Sequence, residues 1–298
     1  MKKFNFFRLK KAEKDFTPDM LPTTRKGVFK DVLKLHFLTL IKLGLLLLLF
    51  SAPIHLLAGM EQIYVAYLHE TVGTATPEAV AQVTYQTVFI SNLRAAVNIP
   101  LLMLFSVGFS GATRIIRQFA WEENVSFGHD FSVGVKQNFK QMLLLSFIVG
   151  LCNFICVFIS NTSYTADNVF VTYAVYIPMA VCVLLMPVAA YMTVCIPVYS
   201  NTFRQNARVG FALYFKTFFR SLLAILCAGV LFITFFIPNF YVCFFGRLVA
   251  TVFVPFSMLG YYLYALQQLD KFVNAGRFNS LIAKGLYNAS DGEDEYDW

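Results

Sequence analysis

Six apolar runs, each close to 20 residues long, constrain the fold of this 298-residue chain more than any other feature. They lie at about 37–57, 96–116 and 142–160, within 171–199, and at about 222–238 and 245–266. A helix of about 20 apolar residues crosses a bilayer core of roughly 30 Å. Charged residues make up only 14% of the chain, against about 25% in typical soluble domains. The sequence therefore predicts an all-α polytopic membrane protein with about six transmembrane helices.

The basic residues are distributed on one side of this pattern. All but three of the 24 Lys and Arg residues lie before the first run, after the last, or in two of the intervening loops. The three exceptions are Lys42, Arg94 and Arg247. Because Lys and Arg accumulate in cytoplasmic loops, both termini are predicted to be cytoplasmic. The same bias explains the net charge of +7, so no nucleic-acid partner is expected.

The charge pattern divides the chain into three regions. We expect a cytoplasmic basic arm at 1–35, a six-helix membrane domain at 36–270, and a cytoplasmic tail with an acidic end at 271–298. The first run is too long, and follows too many polar residues, for a signal peptide. The acidic stretch between runs one and two is predicted to be external, with a short helix lying against the membrane or a partner.

Two features within the apolar runs concern packing. The fourth run contains Pro178, Pro187 and Pro197, which favours a bend there, although proline is also simply frequent in membrane helices. The amides of Asn98 and Asn153 are expected to hydrogen-bond between helices.

The sequence contains no catalytic or metal-binding pattern. The His69-Glu70 pair lacks the second histidine of a zinc-binding helix, and no phosphate-binding glycine loop is present. The six cysteines lie in or beside apolar runs without metal-ligand spacing, so buried thiols are expected. No carboxylate occurs in the middle of a predicted span, which disfavours a proton-coupled carrier. We expect no enzyme activity and no cofactor.

The two basic loops become similar when the chain is shifted by 80 residues. The matching pairs are Phe131 with Phe211, Val135 with Phe215, Lys136 with Lys216, Phe139 with Phe219, and Lys140 with Arg220. In each copy the apolar groups recur every four residues, on one face of a helix. Two interpretations remain open: the helices dock on a cytoplasmic protein, or they are ordinary amphipathic helices in the headgroup layer.

Part of the first loop matches a known pattern. It contains Gly111, Thr113 and Arg114, then Glu122 to Asn124, then Asp130-Phe131, then Lys136 to Gln141. This arrangement, within residues 108–151, resembles the signature region of the YesL-like family of bacterial integral membrane proteins. The resemblance implies a multi-pass protein of the bacterial cell membrane, with no established catalytic residues. It also implies association with carbohydrate ABC uptake systems, whose genes often accompany those of the family.

These observations lead to two functional hypotheses. The first is a non-enzymatic accessory or assembly subunit that contacts the lipid bilayer and the permease or ATPase subunits of a carbohydrate ABC transporter. The alternative is that the chain is itself a permease for a small solute such as a sugar, although neither basic loop contains the coupling motif of importer permeases. The candidate docking residues are Arg114, Asp130, Phe131, Lys136, Asn138, Phe139, Lys140, Phe211, Phe215, Lys216, Phe219 and Arg220.

Overall fold

The computed structural model describes residues 22–71, 76–165, 173–174, 176–230, 233 and 239–287. Within these ranges there are seven α-helices and no strand. The helices are α1 (Arg25–Thr71), α2 (Pro77–Ala120), α3 (Phe127–Thr165), α4 (Tyr176–Val198), α5 (Phe203–Lys216), α6 (Phe218–Ala228) and α7 (Phe240–Phe272). Two short 3-10 turns, Asn274–Gly276 and Asn279–Leu281, follow α7.

Five of these helices, α1, α2, α3, α4 and α7, are long and apolar enough to cross a membrane. A sixth span results if α5 and α6, which meet at a bend of 103°, are counted as one. The prediction of an all-α polytopic membrane protein is therefore confirmed. We call the end of the bundle that carries residues 121–126, 199–202 and 273–287 the basic end, and it is the end predicted to be cytoplasmic.

Helices α1 and α2 are much longer than the apolar runs within them. Helix α1 covers 47 residues and has a kink at His36, whose backbone is not helical. The part after the kink, residues 37–71, corresponds to about 50 Å at 1.5 Å per residue. It continues to Thr71, and α2 begins at Pro77. The prediction of a separate short helix between the first two runs was therefore wrong. Instead the two helices continue past the apolar runs, and the carboxylate of Glu61 pairs with Arg94 at 2.5 Å.

The described part of the fourth run from Tyr176 onwards forms one continuous helix. Helix α4 continues through Pro187 to Val198, which agrees with prolines being tolerated where neighbouring helices support the backbone. The sharp bend of the chain lies instead at Thr217, between α5 and α6.

Helices pack closely where glycine removes the side chain. A Cβ atom on Gly44 of α1 would overlap the backbone carbonyl of Val252 in α7. In the same way, a Cβ atom on Gly134 of α3 would lie 3.1 Å from both the Cα of Gly111 and the carbonyl oxygen of Ser110 in α2. Close backbone approach at small residues increases van der Waals contact, which is a main source of helix association in membranes.

The hydrophobic core is concentrated towards the basic end. Its fully buried side chains come from six helices and include Val28, Ile115, Ile116, Phe119, Met142, Tyr191, Leu213, Tyr214, Leu259 and Leu266. By contrast, the α1 residues beyond the first apolar run, such as Met60 and Tyr67, are largely exposed. The described helices are thus held together mainly at one end.

We expect replacement of Gly44 by leucine to separate α1 from α7, because the new side chain would collide with the backbone of Val252. Overpacking of this kind usually costs about 1–3 kcal/mol. Thermal unfolding in mild detergent, followed by size-exclusion chromatography, measures the effect. The control is Gly128→Leu, since nothing lies within 4 Å of a Cβ atom there. Equal melting temperatures for the two variants would contradict this packing.

Candidate functional site

The first copy of the repeated segment lies at the start of α3 and is packed against α2. Asp130 is buried and pairs with Arg114 at 3.6 Å. It also accepts a 2.7 Å hydrogen bond from the backbone N–H of Ser126, beside the first turn of α3. Asn138 is buried too, and its amide donates to the carbonyl of Ser110 at 3.4 Å. These side chains hold α2 and α3 together.

The remaining residues of the first copy are only partly accessible. The ring of Phe131 lies against Gly111 and 6.5 Å from the ring of Phe50. Phe139 is half-buried, whereas Lys136 and Lys140 are exposed. A partner could therefore reach the two lysines of this copy, but not its full aromatic face.

The second copy lies on α5 and the first turn of α6, and here the aromatic face is open. Phe211, Phe215 and Phe219 are 41%, 65% and 82% exposed. Lys216 and Arg220 are exposed beside them. We call these five residues the α5–α6 face. The opposite side of α5 is buried through residues such as Leu213, so the helix is fixed while this face is free.

A difference in side-chain size accompanies the different packing of the two copies. The position equivalent to Gly134 in the second copy is Tyr214. Gly134 allows α3 to lie directly on α2, whereas the Tyr214 hydroxyl reaches across to donate to the carbonyl of Val183 at 2.7 Å. The first copy lies within the single helix α3, whereas the second is divided at Thr217 between α5 and α6.

Buried hydroxyl groups support the bend at Thr217. The Tyr191 hydroxyl lies 3.0 Å from the Thr217 hydroxyl and 2.9 Å from that of Ser221. The two smaller hydroxyls are 2.8 Å apart, and Thr217 also donates to the carbonyl of Leu213 at 2.7 Å. In the sequence, the feature that indicates this network is the pair of hydroxyl residues Thr217 and Ser221, which are four residues apart. The equivalent positions of the first copy hold Gln137 and Gln141.

A network at the basic end joins the start of α1 to the chain after α7, and sequence reasoning missed it. Arg25 pairs with Asp270 at 2.9 Å and donates to the carbonyl of Lys284 at 2.7 Å. Lys284 in turn pairs with Glu123 at 2.8 Å, and its ammonium lies 3.9 Å from the ring centroid of Trp121. Residues 273–287 are therefore packed onto the membrane domain and do not form a free tail.

Gly285 is the residue that allows this packing. Its φ of +83° is rarely adopted by other residues, and a Cβ atom there would lie 2.6 Å from the Cα of Trp121. Any other residue at this position would combine an unfavourable backbone conformation with a steric overlap, so only glycine fits.

A second polar group, also missed, lies towards the opposite end of α1. The His55 imidazole is 3.0 Å from the Thr251 hydroxyl of α7, and Glu61 pairs with Arg94 of α2. Ionisable groups near the bilayer are costly unless they are paired. These two contacts provide partners for such groups, and they connect α1, α2 and α7 at the end opposite to the main core.

The described residues do not present a metal centre, because no three His, Cys, Asp or Glu side chains among them are placed to hold an ion. A cavity of about 680 Å³ opens at the basic end, lined in part by Asp31, His36, Glu122 and Glu123. Burial, followed by repulsion from Asp31, raises the pKa of Glu122. Glu122 also has a left-handed backbone with φ of +54°.

No family model, no curated protein and no solved structure matches the chain. The resemblance of residues 108–151 to the YesL-like family therefore stays a prediction.

We expect Glu122→Gly to stabilise the protein, because it removes both the left-handed strain, about 1–2 kcal/mol for a non-glycine residue, and a carboxylate close to Asp31. Glu122→Gln removes only the charge. Because the folded-state pKa is raised, the charge penalty is present at neutral pH and disappears as the carboxyl protonates.

Melting temperatures at pH 7.5 and pH 5 separate the two effects. The gain from Glu122→Gln should shrink at pH 5, whereas the extra gain from Glu122→Gly should persist. If Glu122→Ala stabilised the protein as much as Glu122→Gly, backbone strain at this position would be ruled out.

Proposed function

We propose that this multi-pass protein is a non-enzymatic accessory or assembly subunit that binds a partner membrane protein through its α5–α6 face. The observation that carries the proposal is the unequal packing of the two copies. The first is used to join α2 and α3, whereas the second leaves Phe215 and Phe219 largely exposed. Aromatic residues and arginine are enriched at protein interfaces, and Phe215, Phe219 and Arg220 are of these types.

The charges around this face support a protein partner. Lys216 and Arg220 form no ion pair with any described residue, unlike Arg25, Arg114 and Arg117. The ammonium of Lys216 lies 5.1 Å from the ring centroid of Phe272, and that of Lys271 lies 5.3 Å from the same ring. A surface with apolar side chains rimmed by Asp or Glu would complement this arrangement.

The resemblance of residues 108–151 supplies the proposed class of partner. We take it to be a permease or ATPase subunit of a carbohydrate ABC uptake system in a bacterial cell membrane. The support for this class of partner is that genes of the YesL-like family often accompany those of such systems.

The repeated segment provides a matched pair of variants for the test. A photoreactive phenylalanine analogue at Phe219 should cross-link a transporter subunit in intact cells, and Lys216→Gln with Arg220→Gln should lower the yield about tenfold, equivalent to about 1.4 kcal/mol. The control is Lys136→Gln with Lys140→Gln, which removes the same charges from the first copy.

Several results would count against the proposal. Equal loss of cross-linking in the two double variants would show a general charge effect. Cross-links to lipid alone would support the headgroup interpretation. Solute flux into liposomes that contain only this protein would favour the alternative of a permease.

A further inference from the structure

An apolar groove opens between α3, α4 and α5. Its volume is about 290 Å³, and its walls include Val149, Cys152, Val188, Met192 and Phe211. Among the described residues that line it, Asn153 is the one with an amide side chain. The groove is thus apolar except at a single hydrogen-bonding position.

Asn153 lies within the part of α3 that crosses the bilayer. It follows Lys140 by 13 residues and precedes Asn161 by eight. At 1.5 Å per residue these separations are about 20 Å and 12 Å. The amide is therefore well inside a hydrocarbon core of about 30 Å.

The Asn153 side chain is exposed and has no hydrogen-bond partner among the described residues. The other asparagines of α3 differ in this respect. Asn138 donates to the carbonyl of Ser110, and Asn161 donates to the side chain of Asn92 at 2.7 Å. Because no water reaches the hydrocarbon core, an unpaired amide there is strongly unfavourable. The groove therefore requires an occupant that can hydrogen-bond.

Lipid acyl chains cannot satisfy this requirement, because they have neither donors nor acceptors. An amide, by contrast, has both, and it can pair with an identical amide. A two-fold axis along the membrane normal places the same residue of two copies at the same depth. A second copy of the chain therefore places another Asn153 amide at the same depth as the first.

We propose that two copies of this protein form a dimer through the groove, with the Asn153 side chains hydrogen-bonded to each other. The interface runs along α3, so Cys152 and Cys156, which also line the groove, approach the partner copy. The groove and the α5–α6 face share Phe211, but Phe215, Lys216, Phe219 and Arg220 lie outside the groove. The inference does not depend on the proposed function.

Native cysteines allow a direct test in membranes. Variants that retain only Cys152 or only Cys156 should form disulfide-linked dimers on mild oxidation. A variant that retains only Cys227, which is exposed on α6, serves as the control and should remain monomeric.

The role of the amide is tested by size-exclusion chromatography with light scattering and by single-molecule photobleaching in bilayers. Asn153→Leu should weaken dimerisation at least about tenfold, whereas Asn153→Gln should largely preserve it. Leu151→Ala, at an exposed α3 position that does not line the groove, is the control and should dimerise like the wild type.

Three results would overturn the inference. They are a wild-type protein that is monomeric in bilayers, dimers of Asn153→Leu as stable as those of the wild type, and cross-linking of Cys152 to a different protein. Because Lys216→Gln with Arg220→Gln should leave the dimer intact, failure of the dimer and failure of the partner contact can be told apart.

Discussion

The close approach of α2 and α3 at Gly111 and Gly134 determines how the rest of the basic end is arranged. Because Gly111 and Gly134 have no side chains, α3 lies close to α2, the Phe131 ring packs on Gly111, and Asp130 and Asn138 are buried between the two helices. One of two similar segments is thereby used for folding. The other copy is interrupted at Thr217 and keeps its aromatic residues on the surface, and its position equivalent to Gly134 holds the large side chain of Tyr214.

The same end of the molecule also contains most of the core and most of the ion pairs. Arg25 connects α1 to α7 through Asp270, and Lys284 connects the chain after α7 to Glu123. The side chains of Arg25 and Asp270 are only 10% and 17% exposed, so their pairing offsets the cost of removing both charges from water. The opposite ends of the described helices have fewer buried side chains, and the Glu61–Arg94 pair joins two of them there.

The sequence was sufficient for the class of fold because a 20-residue apolar run has one stable form in a bilayer. It could not predict that α1 continues to Thr71, since the pairing of Glu61 with Arg94 joins residues far apart in the chain. For the site, the repeat named Phe215 and Phe219, which are exposed, and their role in docking stays a prediction. The resemblance of residues 108–151 supplied Asp130 and Asn138, whose burial against α2 is a tertiary effect that a sequence pattern does not contain.

Spin-label mobility in the two copies tests the central claim, that one copy is internal and the other exposed, most directly. Labels would replace Phe131 in the first copy and Phe215 and Phe219 in the second. In bilayers we predict a strongly immobilised spectrum at position 131 and mobile spectra at 215 and 219. Equal mobility at 131 and 215 would contradict the account.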